Sequence, residues 1–151
     1  MFRLSKKALY AVEAVLDIAY HAGAEPVQSL EITRRQGIPR RYLEQVLQRL
    51  VREGILAGVR GPRGGYRLAR ERRRVSVGDI ARVMISDEKN NKQDETFSSS
   101  DLGRKVVQRL WKNLEEEMMV HLENTTIDDL CDAAEKESIE SEGRGTIDYS
   151  I

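Results

Sequence analysis

The stretch VRGPRGGYRL, Val59 to Leu68, decides the fold. It follows a short apolar approach through Ile55 and Leu56 and precedes a basic run from Arg70 to Arg74. Gly61-Pro62 and Gly64-Gly65 are turn formers, because glycine accepts positive φ and proline presets φ at the first turn position. Val59 on one side and Tyr66 and Leu68 on the other read as two short strands, so the segment is expected to be a β-hairpin. Arg60 and Arg63 stand at its tip, with Arg67 just behind. A rigid loop that presents arginines suits the narrow, negative minor groove of DNA. The competing assignments are an ordinary surface hairpin and a phosphate-binding enzyme loop. A Walker loop ends in Gly-Lys-Ser/Thr, whereas this one ends in Gly-Gly-Tyr.

Upstream residues give the hairpin its context. Ser29 is placed to cap a short helix, SLEITRRQ, which Gly37 ends as a left-handed C-cap. Pro39 stands where the first turn of the next helix tolerates a missing N–H. Leu43, Val46, Leu47 and Leu50 then recur at helical spacing and must face a core. Arg41, Glu44, Gln45, Gln48 and Arg52 fall on the opposite side, with Arg40 and Tyr42 near the N-terminus. Such a front holds the groups that read base edges: Arg for guanine, Gln for adenine, Glu for cytosine. A solvated charged face has the same pattern. The hairpin at the right spacing favours the DNA assignment, and the expected fold is a winged helix: mainly α, with a small β-hairpin wing and a long dimerisation helix.

The run GIPRRYLEQVLQRLVREGIL, followed by VRGPRGGYRLAR and VSVGDI, resembles a family of small winged-helix regulators. It is typified by the iron–sulfur cluster regulator (IscR), the nitric-oxide-sensing repressor (NsrR) and the cysteine metabolism repressor (CymR). The likeness covers residues 3 to 85 closely and the helices after 100 more loosely. Its two signatures are YLEQ at 42–45 and RGPRGGY at 60–66. The resemblance implies that Arg40, Arg41, Tyr42, Glu44, Gln45 and Gln48 meet the major groove. It likewise implies that Arg60, Gly61, Pro62 and Arg63 meet the minor groove, and that Glu44 tunes which sequences are accepted.

Charge distribution supports a nucleic-acid partner independently. The 151 residues have a formal net charge of zero, but residues 1–85 carry 17 Lys/Arg against 8 Asp/Glu and residues 86–151 carry 8 against 17. A basic head of +9 is therefore joined to an acidic half of −9, which fits DNA contact on one side and a different task on the other. No apolar run approaches a membrane span, and MFRLSKKALY lacks the pattern of a signal peptide. The single cysteine rules out an internal disulfide framework, so the expected compartment is the cytoplasm. Paired carboxylates, Ser/His arrangements and metal-ligand spacings are all missing, so no enzyme activity, cofactor or metal is expected.

The chain is expected to divide into a winged-helix DNA-binding domain at 1–85, a flexible loop at 86–100, a dimerisation helix and short last helix at 101–137, and a disordered acidic tail at 138–151. Ser5 caps helix one, with Leu9, Val12, Leu16 and Ala19 on its buried face. Ser76 caps a short helix, VGDIARVM. In the long helix from Asp101 to about Glu123, Leu102, Val106, Leu110, Leu114, Met118 and Leu122 mark one stripe, flanked by Val107, Trp111 and His121. That stripe exceeds what a small head can cover, so a second copy is the expected partner, giving a two-fold dimer for a palindromic site. Val106, Leu110, Trp111, Leu114 and Met118 are its expected contacts. Thr126 caps the last helix, IDDLCDAAEK.

Control of the regulator turns on cysteine. Cluster-binding members of the resembled family carry three cysteines in the loop, and this chain has none between Ser86 and Ser100. Serine hydroxyls are poor substitutes for thiolates. Cys131 is expected to be a small buried hydrophobe, and His21 and His121 helix-end or interface residues. The resemblance then implies control by a partner protein. DYSI, Asp148, Tyr149, Ser150 and Ile151, looks similar to the isoleucine-ended peptide by which cysteine synthase is held, a terminal carboxylate occupying the amides that bind its amino-acid substrate. The expected role is thus repression of cysteine or sulfur genes with cysteine synthase as partner. Two readings stay open beside it: an iron- or redox-responsive regulator with a non-cysteine cluster site, and an adaptor that uses its winged helix for protein contacts.

Overall fold

A computed structural model describes residues 5–91 and 100–143, with the backbone alone for 87–91. Helix α1 (Lys6–Tyr20) opens at Ser5, whose hydroxyl accepts the Ala8 N–H at 3.1 Å. Its buried face is Ala8, Ala11, Ala14, Val15 and Ile18 together with Ala19. The expected stripe is thereby corrected: Leu9 is 47% exposed, and Val12 and Leu16 are only partly buried. Alanines on the central line let several elements approach one helix closely, which leucines there would prevent.

Helix α2 (Ser29–Gln36) begins one residue earlier than its serine suggests. Gln28 is the cap, and its N–H donates to the Glu31 carboxylate at 2.9 Å. Gly37 ends the helix at φ 67°, donating to the Thr33 carbonyl. Helix α3 (Arg40–Arg52) follows directly and buries Leu43, Val46, Leu47 and Leu50. Strands β1 (Leu56–Val59) and β2 (Gly65–Leu68) pair antiparallel from Leu56↔Leu68 to Val59↔Gly65. Val27 adds a one-residue bridge to Tyr66, exchanging N–H···O bonds of 3.0 and 2.8 Å. These elements form the winged helix.

Helix α4 (Val77–Asn91) is capped reciprocally by Ser76 and Asp79. It runs well past Met84, so residues 86–91, expected as loop, are helical. No glycine or proline occurs between Asp79 and Asp101, and polarity alone does not stop a helix. The rest of the expected loop, 92–99, lies outside the described residues. A wide π-type turn (Gly103–Val107) leads into α5 (Gln108–Glu123), and Thr126 with Asp129 caps α6 (Ile127–Lys136). Residues 75–77 pair with 125–127, and Gly78 lies so close to Glu123 that a Cβ would come within 2.5 Å of its side chain. Ile127 and Cys131 of α6 thereby join the core under α1.

The acidic tail expected from residue 138 is partly folded. Ser138 takes φ 60°, its N–H donates to Glu135 O, and the Ile139 N–H donates to Ala134 O. This is a Schellman closure, which turns the chain back. Residues 139–143 then lie along the end of α1, where Tyr20 donates to the Ile139 carbonyl and Ser141 to the Tyr20 carbonyl. Polar groups pairing with partners some 120 residues away leave no periodic trace in the sequence. Asp148, Tyr149, Ser150 and Ile151 lie outside the described residues.

One ionic cluster ties α1 to α2. The Asp17 carboxylate is fully buried and accepts from Arg35 Nε and Nη2 at 2.9 and 2.8 Å and from Gln36 Nε2 at 2.8 Å. Removing one member of a buried, hydrogen-bonded pair strands the other's charge. Asp17→Ala should therefore lower unfolding free energy by about 3–5 kcal/mol, checked by urea denaturation. A loss under about 1 kcal/mol would mean the pair is held no better than a surface bridge.

Candidate nucleic-acid interface

Two exposed surfaces carry the polar groups singled out by the sequence. On α3 Leu43, Val46, Leu47 and Leu50 are withdrawn into the core, and Arg40, Arg41, Tyr42, Glu44, Gln45 and Gln48 are all exposed. A strongly amphipathic helix has this property by geometry, since residues three and four apart share a face. Arg40 Nε donates to Glu44 Oε1 at 3.2 Å, so the glutamate of YLEQ is paired within its own helix. Tyr42 is half exposed, its ring centroid 6.3 Å from that of Tyr10 on α1.

The second surface is the wing. Arg60, Gly61, Pro62 and Arg63 form its exposed tip. Gly61 adopts φ 115°, a region open to glycine and strained for other residues, and the Gly64 N–H donates back to its carbonyl at 2.9 Å. Gly64 and Gly65 are required for a different reason. A Cβ would stand 2.2 Å from Val59 O at the first and 2.4 Å from Val27 O at the second. The glycines thus hold the tip turn closed and let the wing lie against the chain between α1 and α2. Arg67 strengthens the same junction by donating to Ala24 O at 2.8 Å.

A residue that sequence reasoning missed stands beside this tip. Glu25 accepts from Arg63 Nη1 at 3.3 Å, with both side chains largely in water. No local pattern places it there; the pairing depends on the Val27–Tyr66 bridge, which brings a loop 38 residues away beside the wing. In that exposed position the pair is weak, so a phosphate could displace the carboxylate at little cost.

The long helix leaves a third surface uncovered. No residue of α5 is buried within the chain. Val106, Leu110 and Leu114 are 58%, 53% and 37% exposed, while Trp111 and Met118 are half-buried. Cys131, in contrast, is buried on α6 as expected, and burial pushes its thiol pKa up against the pull of Arg72. His21 caps α1. Among the described residues no helix is long and apolar enough to cross a membrane.

Residues 4–133 match the family described as Rrf2, iron-dependent transcriptional regulator. The chain is 35% identical over 133 residues to the HTH-type transcriptional regulator IscR of Pectobacterium atrosepticum, covering 88% of this chain and 81% of that one. To IscR of Vibrio vulnificus it is 34% identical over 149 residues, covering 99% and 88%. Among solved structures, IscR of T. potens superposes with TM-score 0.73 at 34% identity over 93% of each chain. CymR of B. subtilis, the global cysteine regulator, gives 0.70 at 26% identity, covering 88% of this chain and 98% of that one. The family description invites a test for iron. With one cysteine in the sequence, and that one buried, the residues do not fit a cysteine-ligated cluster. Nor do three or more His, Cys, Asp or Glu groups converge on a metal position among the described residues.

Proposed function

We propose, from the fact that this chain belongs to the Rrf2 family of transcriptional regulators, that it is a homodimeric repressor reading DNA with the N-terminal half of α3 and the wing. The observation that carries this reading is the exposure of Arg40, Arg41, Tyr42, Glu44, Gln45 and Gln48 above a fully buried apolar back, next to a glycine-built wing tip bearing Arg60 and Arg63. Bidentate groups on α3 suit base edges in the major groove, and guanidinium groups on a narrow loop suit the minor groove. The relatives are regulators rather than enzymes, which fits a chain working by binding.

Dimerisation is supported by the uncovered apolar line on α5. Two copies related by a two-fold axis would cover it and present two reading heads to a palindromic operator. On this reading residues 1–85 are the reading unit, and 101–137 carry the dimer contacts and the last helix.

The finer reading is control of cysteine or sulfur genes without a cluster, with cysteine synthase as partner through Asp148 to Ile151. The single, buried thiol and the likeness to CymR support it. The likeness to proteins named IscR favours an iron–sulfur role instead, and the thiol count speaks against a cysteine-held cluster here. Calorimetry of the full chain with cysteine synthase should give saturable heat that O-acetylserine suppresses; no heat overturns the partner assignment.

Arg60→Ala should weaken operator binding by about 1–3 kcal/mol, with the parent affinity falling steeply as salt rises. Fluorescence anisotropy across a salt series checks it, and unchanged affinity would remove the wing from the interface. Leu110→Lys with Leu114→Lys should give a soluble monomer, because charges facing each other across a two-fold seam are costly to bury. An intact dimer in sedimentation would place the seam elsewhere.

A further inference from the structure

The segment after α6 is held to the end of α1 and to α2 through Ile139, Ser141, Glu142 and Gly143. Tyr20 and Ser141 fix its entry. The Glu142 carboxylate lies 3.1 Å from Arg34 Nη2 and 2.5 Å from Arg35 Nη1. The Glu142 N–H donates to His21 Nδ1 at 3.0 Å. Gly143 is buried so tightly that a Cβ would stand 2.2 Å from Ala22 O and 2.5 Å from His21 O. Arg34 and Arg35 lie in the last turn of α2, and Arg35 is also the partner of buried Asp17. The segment therefore grips the first helix of the helix-turn-helix just before its turn.

His21 is the one group in this grip that changes charge near neutral pH. Accepting at Nδ1 fixes the neutral tautomer, with its proton on Nε2, 4.0 Å from Asp17 Oδ2. Protonation turns Nδ1 into a donor facing a donor, so the hydrogen bond to Glu142 is lost. We propose that residues 138–143 form a pH-sensitive latch on the helix-turn-helix, with the His21 imidazole as its release.

The charges facing His21 set the sign. Asp17 on its own helix, Glu31 on α2 and Glu142 on the latch favour the imidazolium, and Arg35 on α2 opposes it. Burial comes first and, with Arg35, holds the imidazole below the usual histidine range. The latched state thus binds fewer protons than the open one. Latching is complete above the open-state pKa of about 6.5 and weakens as pH falls through it towards the lower latched value. Burial pushes the Glu142 carboxyl up, but the hydrogen bond and charge of Arg35, with Arg34, outweigh it and hold the group below its ordinary value. Its protonation therefore opens the latch only in a more acid range, leaving the window near neutrality to His21.

Amide hydrogen exchange on the full chain tests the latch. From about pH 7.5 to about pH 5.5 the Glu142 amide should lose protection, by up to about tenfold, beyond the change in intrinsic exchange. Amides of Leu47 and Leu50 in α3 should keep theirs, separating release from unfolding. His21→Gln keeps an acceptor without a titrating proton and should make Glu142 protection pH-independent. Gly143→Val should abolish that protection at every pH and return the His21 imidazole, followed by proton NMR, to the ordinary histidine range. Flat protection in the parent, an unchanged titration in His21→Gln, or an unmoved His21 titration in Gly143→Val would each overturn the proposal.

Discussion

The alanine face of α1 is the constraint on which the rest of the molecule depends. Ala8, Ala11 and Ala14 are essentially inaccessible, and helices α2, α3, α4 and α6 and strand β2 all pack against that one helix. Their closeness rests on this alanine row, which offers nothing beyond a methyl group, while Val15 and Ile18 fill the wider space beside it. Each partner then contributes its own larger residues to the gaps, Leu43 and Leu47 from α3, Ile80 and Met84 from α4, Ile127 and Cys131 from α6. A larger residue in the alanine row would have to displace several elements at once, because a packed interior transmits strain instead of absorbing it.

Around this centre the polar groups separate by task. In the α1–α2 junction, buried Asp17 and partly buried Arg35 are multiply bonded, and Gln36 adds one more donor to the Asp17 carboxylate. On α3 and at the wing tip, Arg40 with Glu44 and Arg63 with Glu25 form weak pairs that stay in water. Groups of the first kind set the shape of the head. Groups of the second kind can exchange partners at small cost, which a surface meant for another molecule requires.

Much of this was legible in the chain itself. The 3.6-residue recurrence of Leu43, Val46, Leu47 and Leu50 marked α3, and Gly61-Pro62 with Gly64-Gly65 marked the hairpin, because both are local consequences of backbone geometry. Ser5, Ser76 and Thr126 identified three helix starts for the same reason. Leu9 misled because apolar size suggests burial, whereas the inner face of α1 needed small residues. The run after Ser86 misled because a polar sequence without glycine or proline suits an exposed helix as well as a loop. Glu25 and Glu142 gave no signal, since their partners lie 38 and over 100 residues away and are set by the finished fold.

The π-type turn at Gly103–Val107 has a consequence for the shape of any seam along α5. Apolar residues at Leu102, Val106, Leu110, Leu114 and Met118 recur every fourth position, a longer period than the turn of an α-helix. Such a line winds around its helix with the hand opposite to that of a heptad repeat. The wide turn, with its i→i+5 bonding, underwinds the backbone where the line begins and holds its first members closer to the rest. A helix laid along this line has to cross α5 at an angle instead of coiling beside it. Contact would then concentrate near Leu110 and Leu114, leaving the two ends free to diverge.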